Sequence, residues 1–367
     1  MSLTPAPVSA LASAPALASL PAALVLGAAM AWLLLLFAVA AWADRRAAQG
    51  RSVVANAWVY ALSMGVYCTA WTYFGSVGRA ATSGLGFLPI YLGPTLAMVL
   101  AWLVLRKMVR IARTLRITSI ADFIASRHGR SRTLAGAVTL LALVGVLPYL
   151  ALQLKAVASA LAVLTGTPVH SAAVGAGVVD ATLLIALVLA GFAMAFGTRH
   201  LDTTERHEGL VAAIAFESVV KLLAFVAVGV FVCWGMFAGP GDLMARALAV
   251  PEIARLVSPP ATGGPAFDAA QWFALVLLAG LSVLLLPRQF QVMVVENVSE
   301  AHIRRAAWLF PVYLLAINLF VLPIALAGLL VFGPGAATSG AAETFVLTLP
   351  LAAGAEGLAL LACIGGL

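Results

Sequence analysis

Charge is scarce in this chain: 10% of its 367 residues are Asp, Glu, Lys or Arg, while 63% are hydrophobic. Soluble domains carry about 25% charged residues, and so few cannot clothe a water-soluble fold of this length. Cysteine is nearly missing. Cys68, Cys233 and Cys363 stand far apart inside apolar stretches, which excludes a disulfide framework and a zinc spacing. The five histidines, His128, His170, His200, His207 and His302, fall in connections or at the ends of apolar runs and read as interfacial side chains rather than ligands. Also absent are a phosphate-cradling Gly-Lys loop, a dinucleotide glycine motif and a hydrolase nucleophile motif. These 367 residues therefore offer no enzyme chemistry and call for no cofactor of their own.

What is present is a succession of apolar runs about 20 residues long, enough to cross a hydrocarbon core about 30 Å thick. The spans run from Pro21 to Ala43, Val53 to Ser76, Gly86 to Met108, Thr133 to Thr165, Val179 to Gly197, Gly209 to Phe237, Ala270 to Pro287 and Ala307 to Phe332. The expected fold is all-α, a polytopic membrane protein. Residues 1–20 lack the basic n-region of a signal peptide and read as a flexible tail ahead of the membrane domain, 21–367. A last apolar run begins at Glu356 and reaches Leu367 after 12 residues, too short to span. The sequence is expected to be cut inside that helix.

Arginine and lysine set the orientation, because connections on the cytoplasmic side retain positive charge. Alternate connections hold Arg45, Arg46 and Arg51; then Arg106, Lys107, Arg110, Arg113, Arg116, Arg127, Arg130 and Arg132; then Arg199 and Arg206; then Arg288, Arg304 and Arg305. That is 16 of the 21 basic residues, which puts the N-terminus outside. The formal charge of +7 is accounted for by basic loops beside anionic lipid and needs no nucleic-acid partner. Within the basic connections, Ile117, Ile120, Phe123 and Ile124 form a helical stripe suited to the cytoplasmic membrane face. On the other side, a Gly-Pro-Gly break at 239–241 opens a short amphipathic segment that ends in the turn-rich "SPPATGGP".

Polarity inside the apolar runs marks the candidate site. The second span carries Ser63, Gly65, Tyr67, Cys68, Thr69, Trp71 and Tyr73. Small and hydroxyl residues let helices pack closely; they also permit a helix broken around a ligand. In the seventh span, Gly280, Ser282 and Pro287 precede Arg288, Gln289 and Gln291, which is either a helix terminus or a second break. Tyr149 and Gln153, four apart after Pro148, face either a cavity or a neighbouring helix. Glu217 and Lys221 are also four apart, on one side of the sixth span. Each would cost at least about 2.5 kcal/mol unpaired at a bilayer centre, so they are expected to pair, as a brace or as a gate.

The stretches "ALSMGVYCTAW", "TLRITSIADFIASRHGRSRTLAGAVTLLALVGVLPYLALQLKAVASAL" and "LPRQFQVMVVEN" resemble the sodium/solute symporter family over roughly residues 20–367. Residues 197–231, "GTRHLDTTERHEGLVAAIAFESVVKLLAFVAVGVF", resemble the branch in which such a unit is the N-terminal input domain of a bacterial sensor histidine kinase. The resemblance implies a leucine-transporter-like bundle in the bacterial inner membrane, built as an inverted repeat. The first repeat would be spans two to six; the second would start at span seven, with the sequence truncated inside it. It further implies sodium on the backbone carbonyls of Val66 and Thr69, and Pro287 matches the family's proline at a helix break; with it, the polar residues of the interrupted spans, Tyr67, Cys68, Trp71, Tyr149, Gln153 and Ser282, become the candidate contacts of a small organic solute. Cys68 stands where proline-transporting members carry aspartate, and Ala279 and Val283 where they carry aromatic contacts, so neither proline nor tight sodium coupling is implied. Two functions arise from the likeness: a sensory input module whose C-terminal kinase region would address a response regulator, or a stand-alone sodium-coupled transporter of an amino acid or carboxylate. Downstream sequence separates them.

The arginine distribution yields one direct test. A reporter fused after Arg110 should be active only in the cytoplasm and one fused near Gly263 only outside; the reverse pattern would invert the topology and dissolve the repeat assignment.

Overall fold

The computed structural model describes residues 18–166, 207–258 and 268–367, with isolated positions 183, 186, 187, 190 and 191. Most of the fifth span, the connection with Arg199 and Arg206, most of "SPPATGGP" and residues 1–17 of the tail lie outside the described residues. Every described element is helical, and no strand occurs among them. The elements are α1 (Ala22–Ala48), α2 (Ala57–Ser63), α3 (Ala70–Ser83), α4 (Pro89–Val99), α5 (Val104–Leu115), α6 (Ile120–Arg127), α7 (Arg132–Thr165), α8 (Glu208–Val230), α9 (Pro240–Ala249), α10 (Pro251–Val257), α11 (Ala269–Leu285), α12 (Pro287–Phe290), α13 (Glu300–Asn318), α14 (Val321–Phe332), α15 (Phe345–Ala352) and α16 (Glu356–Gly366).

Among the described residues, four helices are long and apolar enough to cross a membrane: Ala22–Ala48, Arg132–Thr165, Glu208–Met236 and Glu300–Phe332. Two bent pairs also qualify, Ala70–Phe87 with Pro89–Val99 at 61° and Ala269–Leu285 with Pro287–Val295 at 53°. The protein is an all-helical chain with the makings of a multi-pass membrane protein. Burial ranks the helices. The most apolar window of Glu300–Phe332 is 61% buried and that of α7 not at all, so α13 and α14 form the interior. Leu140, Leu141, Leu143 and Leu147 of α7 are exposed, a face suited to hydrocarbon. At the tail's end Leu20 is buried, and its N–H donates to the Leu164 carbonyl at 2.7 Å.

The third span differs from its expected limits of 86–108. Its helix stops at Val99, and a turn leads into the separate helix α5. The reason is the pattern of α5. Leu105, Met108, Val109 and Ala112 are buried while Arg106, Arg110 and Arg113 lie on other faces, a two-sided helix that cannot continue through hydrocarbon. The stripe on α6 packs on protein, not on a membrane face: Ile117 and Ile120 are buried, and Phe123 meets Phe290 edge to face at 5.5 Å. Where α4 crosses α11 the backbones nearly touch, since a Cβ on Gly93 would run into the Val276 carbonyl and the Gly280 nitrogen.

Two interruptions decide the geometry of the site, one between α2 and α3 and one at Leu286, before Pro287 starts α12. They are strapped to each other. The Tyr60 hydroxyl of α2 donates to the Met293 carbonyl at 2.7 Å, and Gln289 Nε2 of α12 donates to the Met64 carbonyl at 3.3 Å. Both acceptors lie in irregular turns, the π turn Gln291–Val295 and the 3-10 turn Met64–Tyr67. Beyond the second break the buried Glu296 accepts from the His207 N–H at 3.2 Å and Gln291 Nε2 at 2.9 Å, and His207 Nδ1 lies 3.1 Å from it. Arg113 then donates to the Val298 carbonyl, while Arg106 and Arg110 hold Glu300 at 3.0 and 2.9 Å. Glu300 is the first residue of α13, so the two arginines of α5 clamp the start of that helix.

The strap sets an expectation. Tyr60→Phe keeps the ring and strands the buried Met293 carbonyl, which should cost about 1 to 3 kcal/mol in a denaturation midpoint; an unchanged midpoint would show that the strap holds nothing.

Candidate functional site

The polar residues of the second span do break the helix. After the 3-10 turn, Cys68 (φ −84°, ψ 90°) and Thr69 (φ −88°, ψ 177°) are not helical, and α3 restarts at Ala70. Glycine is needed just before the break. A Cβ on Gly65 would collide with the Ser218 side chain of α8, so only glycine lets this turn lie against that helix.

A break leaves carbonyls without helical partners, and low-dielectric surroundings demand that they be satisfied. The Thr69 carbonyl is taken by its own restart, accepting from the Tyr73 N–H at 2.9 Å and the Thr72 hydroxyl at 2.8 Å. The Cys68 carbonyl has a different partner: Lys221 Nζ donates to it at 3.0 Å and to Glu217 Oε1 at 2.8 Å. Lys221 is 3% exposed, so this buried ammonium spans α8 and the break. The expected Glu217 and Lys221 pair is present.

Beside this contact is a cavity of about 210 Å³. Its lining comes from the break (Val66, Cys68, Thr69), α7 (Gln153, Val157), α8 (Glu217, Ser218, Lys221) and α12 (Arg288). Polar atoms around it lack partners. Thr69 Oγ1, Tyr149 Oη, Gln153 Nε2 and Arg288 Nε are buried with no hydrogen-bond partner among the described residues. Gln153 is held by its other end, Oε1 accepting the Trp71 N–H at 2.9 Å. The Arg288 guanidinium lies 4.6 Å over the Tyr149 ring, and among the described residues it has no ion-pair partner. Among the described lining side chains Glu217 offsets Lys221, which leaves the Arg288 cation in excess. A larger groove, about 500 Å³, runs between α1, α2 and α8, but its lining is wholly apolar, with Trp42, Val59 and Phe216.

Of the sequence-predicted residues, Val66, Cys68, Thr69, Gln153, Glu217 and Lys221 meet at the cavity, and Tyr149 adjoins it through Arg288. Four others stand outside the lining itself, though the Tyr67 hydroxyl is close enough to Ser282, Arg288 and Tyr149 to interact with them. The Tyr67 hydroxyl donates to the Ile90 carbonyl at 2.7 Å, with its ring against Phe310. The Trp71 indole lies along its own helix beside Gly75. Ser282 donates to the Ala279 carbonyl at 2.8 Å, and Pro287 is the first residue of α12, aiming its neighbour. That neighbour, Arg288, is the residue sequence reasoning missed. It is counted among the loop arginines, yet Pro287 restarts a helix instead of ending a span, and an ionisable residue bordering an apolar run is itself a site signal.

At the break an ammonium group holds the Cys68 carbonyl, and the Thr69 carbonyl, one of the two expected sodium ligands, already accepts two hydrogen bonds. Among the described residues, no three His, Cys, Asp or Glu side chains converge as a metal group. Comparison of the chain with protein-family models and with curated proteins finds no match in either.

The pair of a buried Lys221 and a 30% exposed Glu217 defines a measurable coupling. Glu217→Gln should cost about 3 kcal/mol by stranding the buried ammonium, Lys221→Met should cost less because its partner is partly solvated, and the double replacement should recover much of the larger loss. Additive losses in a thermal-stability assay would show that the two charges are independent.

Proposed function

We propose that the protein is a solute-binding membrane unit of sodium/solute symporter type. In this reading it is a leucine-transporter-like inverted repeat in a bacterial inner membrane with its N-terminus outside, and it serves as the sensory input module of a two-component histidine kinase. The observation that carries the solute site is the convergence of two interrupted helices on a cavity with unsatisfied donors. Buried polar atoms are costly unless paired, and Gln153 Nε2, Tyr149 Oη and Arg288 Nε wait for one acceptor-rich guest. Interrupted helices placed face to face are the mark of a solute site between repeats.

The net positive charge selects the guest. A planar guanidinium favours a carboxylate over neutral groups, so the reading is a small carboxylate, amino acids included, with its acid group toward Arg288. About 210 Å³ suits a molecule of a few heavy atoms. Residues 197–231 support the sensor assignment by their resemblance to input domains, and a response regulator would be reached through a kinase region.

Cys68 supplies the probe. Cys68 is 2% exposed, so with Cys233 and Cys363 replaced by alanine a small thiosulfonate reagent should modify it only as fast as the cavity opens, and members of a carboxylate and amino-acid panel should slow that reaction further. Arg288→Gln should weaken the protecting solute by about tenfold or more, the worth of a charged hydrogen bond of about 1.5 to 3 kcal/mol. Labelling indifferent to the whole panel would remove the solute site.

A further inference from the structure

We infer that Lys221 is a tethered cation that fills the position a free alkali ion would take at the helix break, so that the solute site works without sodium. The inference rests on reading the break as part of a solute site, and it puts a fixed ammonium in place of the sodium that the family resemblance would set on the Val66 and Thr69 carbonyls.

A helix interrupted in low dielectric presents a carbonyl that a cation can hold, and hard alkali ions prefer such oxygens. Here the Cys68 carbonyl is held by Lys221 Nζ at 3.0 Å, and the anion that would complete a cation site, Glu217, is bound to the same nitrogen at 2.8 Å. An ammonium has three N–H donors. Two are spent on these oxygens, and the third remains for the cavity that Lys221 lines. The side chain issues from a regular part of α8, near the point where Gly365 of α16 approaches its Cα, so the charge is delivered by a packed helix and cannot diffuse away.

A sodium ion on the same carbonyl would sit roughly 4 Å from Nζ. At an intermediate dielectric that repulsion weakens its binding by roughly a thousandfold. Thr69 offers no easy substitute, since its carbonyl already accepts two hydrogen bonds. Removing the lysine would reverse the situation, leaving a carboxylate and a free carbonyl facing one void, a ready oxygen site for a monovalent cation.

The test uses sodium alone, with choline as the control ion and no solute, on the full chain in lipid nanodiscs. The wild-type melting temperature should be the same in both salts. Lys221→Ala should gain a saturable rise of several degrees in sodium, propylammonium should reproduce that rise, and adding Glu217→Gln should abolish it. Saturable stabilisation of the wild type by sodium would overturn the inference, as would a folded Lys221→Ala chain indifferent to both cations. The same comparison, read as the rate of Cys68 modification in unextracted membranes, serves a variant that does not survive purification. Because no solute enters, a failed solute panel and a failed tethered cation remain separate results.

Discussion

Everything at the site depends on one unpaired carbonyl, that of Cys68, and on the ammonium that covers it. In water a broken helix costs little, because solvent satisfies the freed groups; inside an apolar bundle each must find a partner from the protein. Lys221 supplies that partner for the break, and Glu217 makes the burial of Lys221 tolerable. Removing any of the three leaves a polar or charged group stranded. The break, the pair and the cavity are therefore one construction, and the cavity exists because the helix did not continue through it.

The second interruption extends the same logic. Tyr60 and Gln289 each satisfy a carbonyl in the irregular turn of the other broken helix, so the two turns hold each other. This reciprocity brings Arg288 to the cavity, because Pro287 fixes where α12 restarts and Gln289 fixes how it faces. The close crossing at Gly93 and Gly280 then keeps α11 against α4 with little room to slide.

Much of this was legible from residue types. Runs of apolar residues located α7 to within a residue of its observed limits, and Gly65, Cys68 and Thr69 stood out as a flaw in a span because a smooth helix has no use for them. Spacing alone paired Glu217 with Lys221. What composition does not carry is direction. Hydropathy is summed along the chain, so it carried the third span past Val99 into α5, where the deciding quantity is which face each arginine takes. The 3-10 turn at 64–67 advances about three residues per turn in place of about 3.6, which swings Tyr67 toward Ile90. The contact between Lys221 and Cys68 joins residues 153 positions apart, and no local pattern announces it.

The π turn at Gln291–Val295 has a consequence for how the segment after Arg288 can move. Its closing bond, from the Glu296 N–H to the Gln291 carbonyl at 2.9 Å, encloses one residue more than an α-helical turn does. Returning that turn to α geometry would displace one residue along the chain and rotate the segment after it by about 100° relative to Arg288. Glu300, pinned by Arg106 and Arg110, is only a few residues further on. Arg288 thus stands at the start of a segment whose irregular turn leaves torsion as its easiest distortion, and the basic helix α5, which packs on that turn, is the neighbour that would feel it.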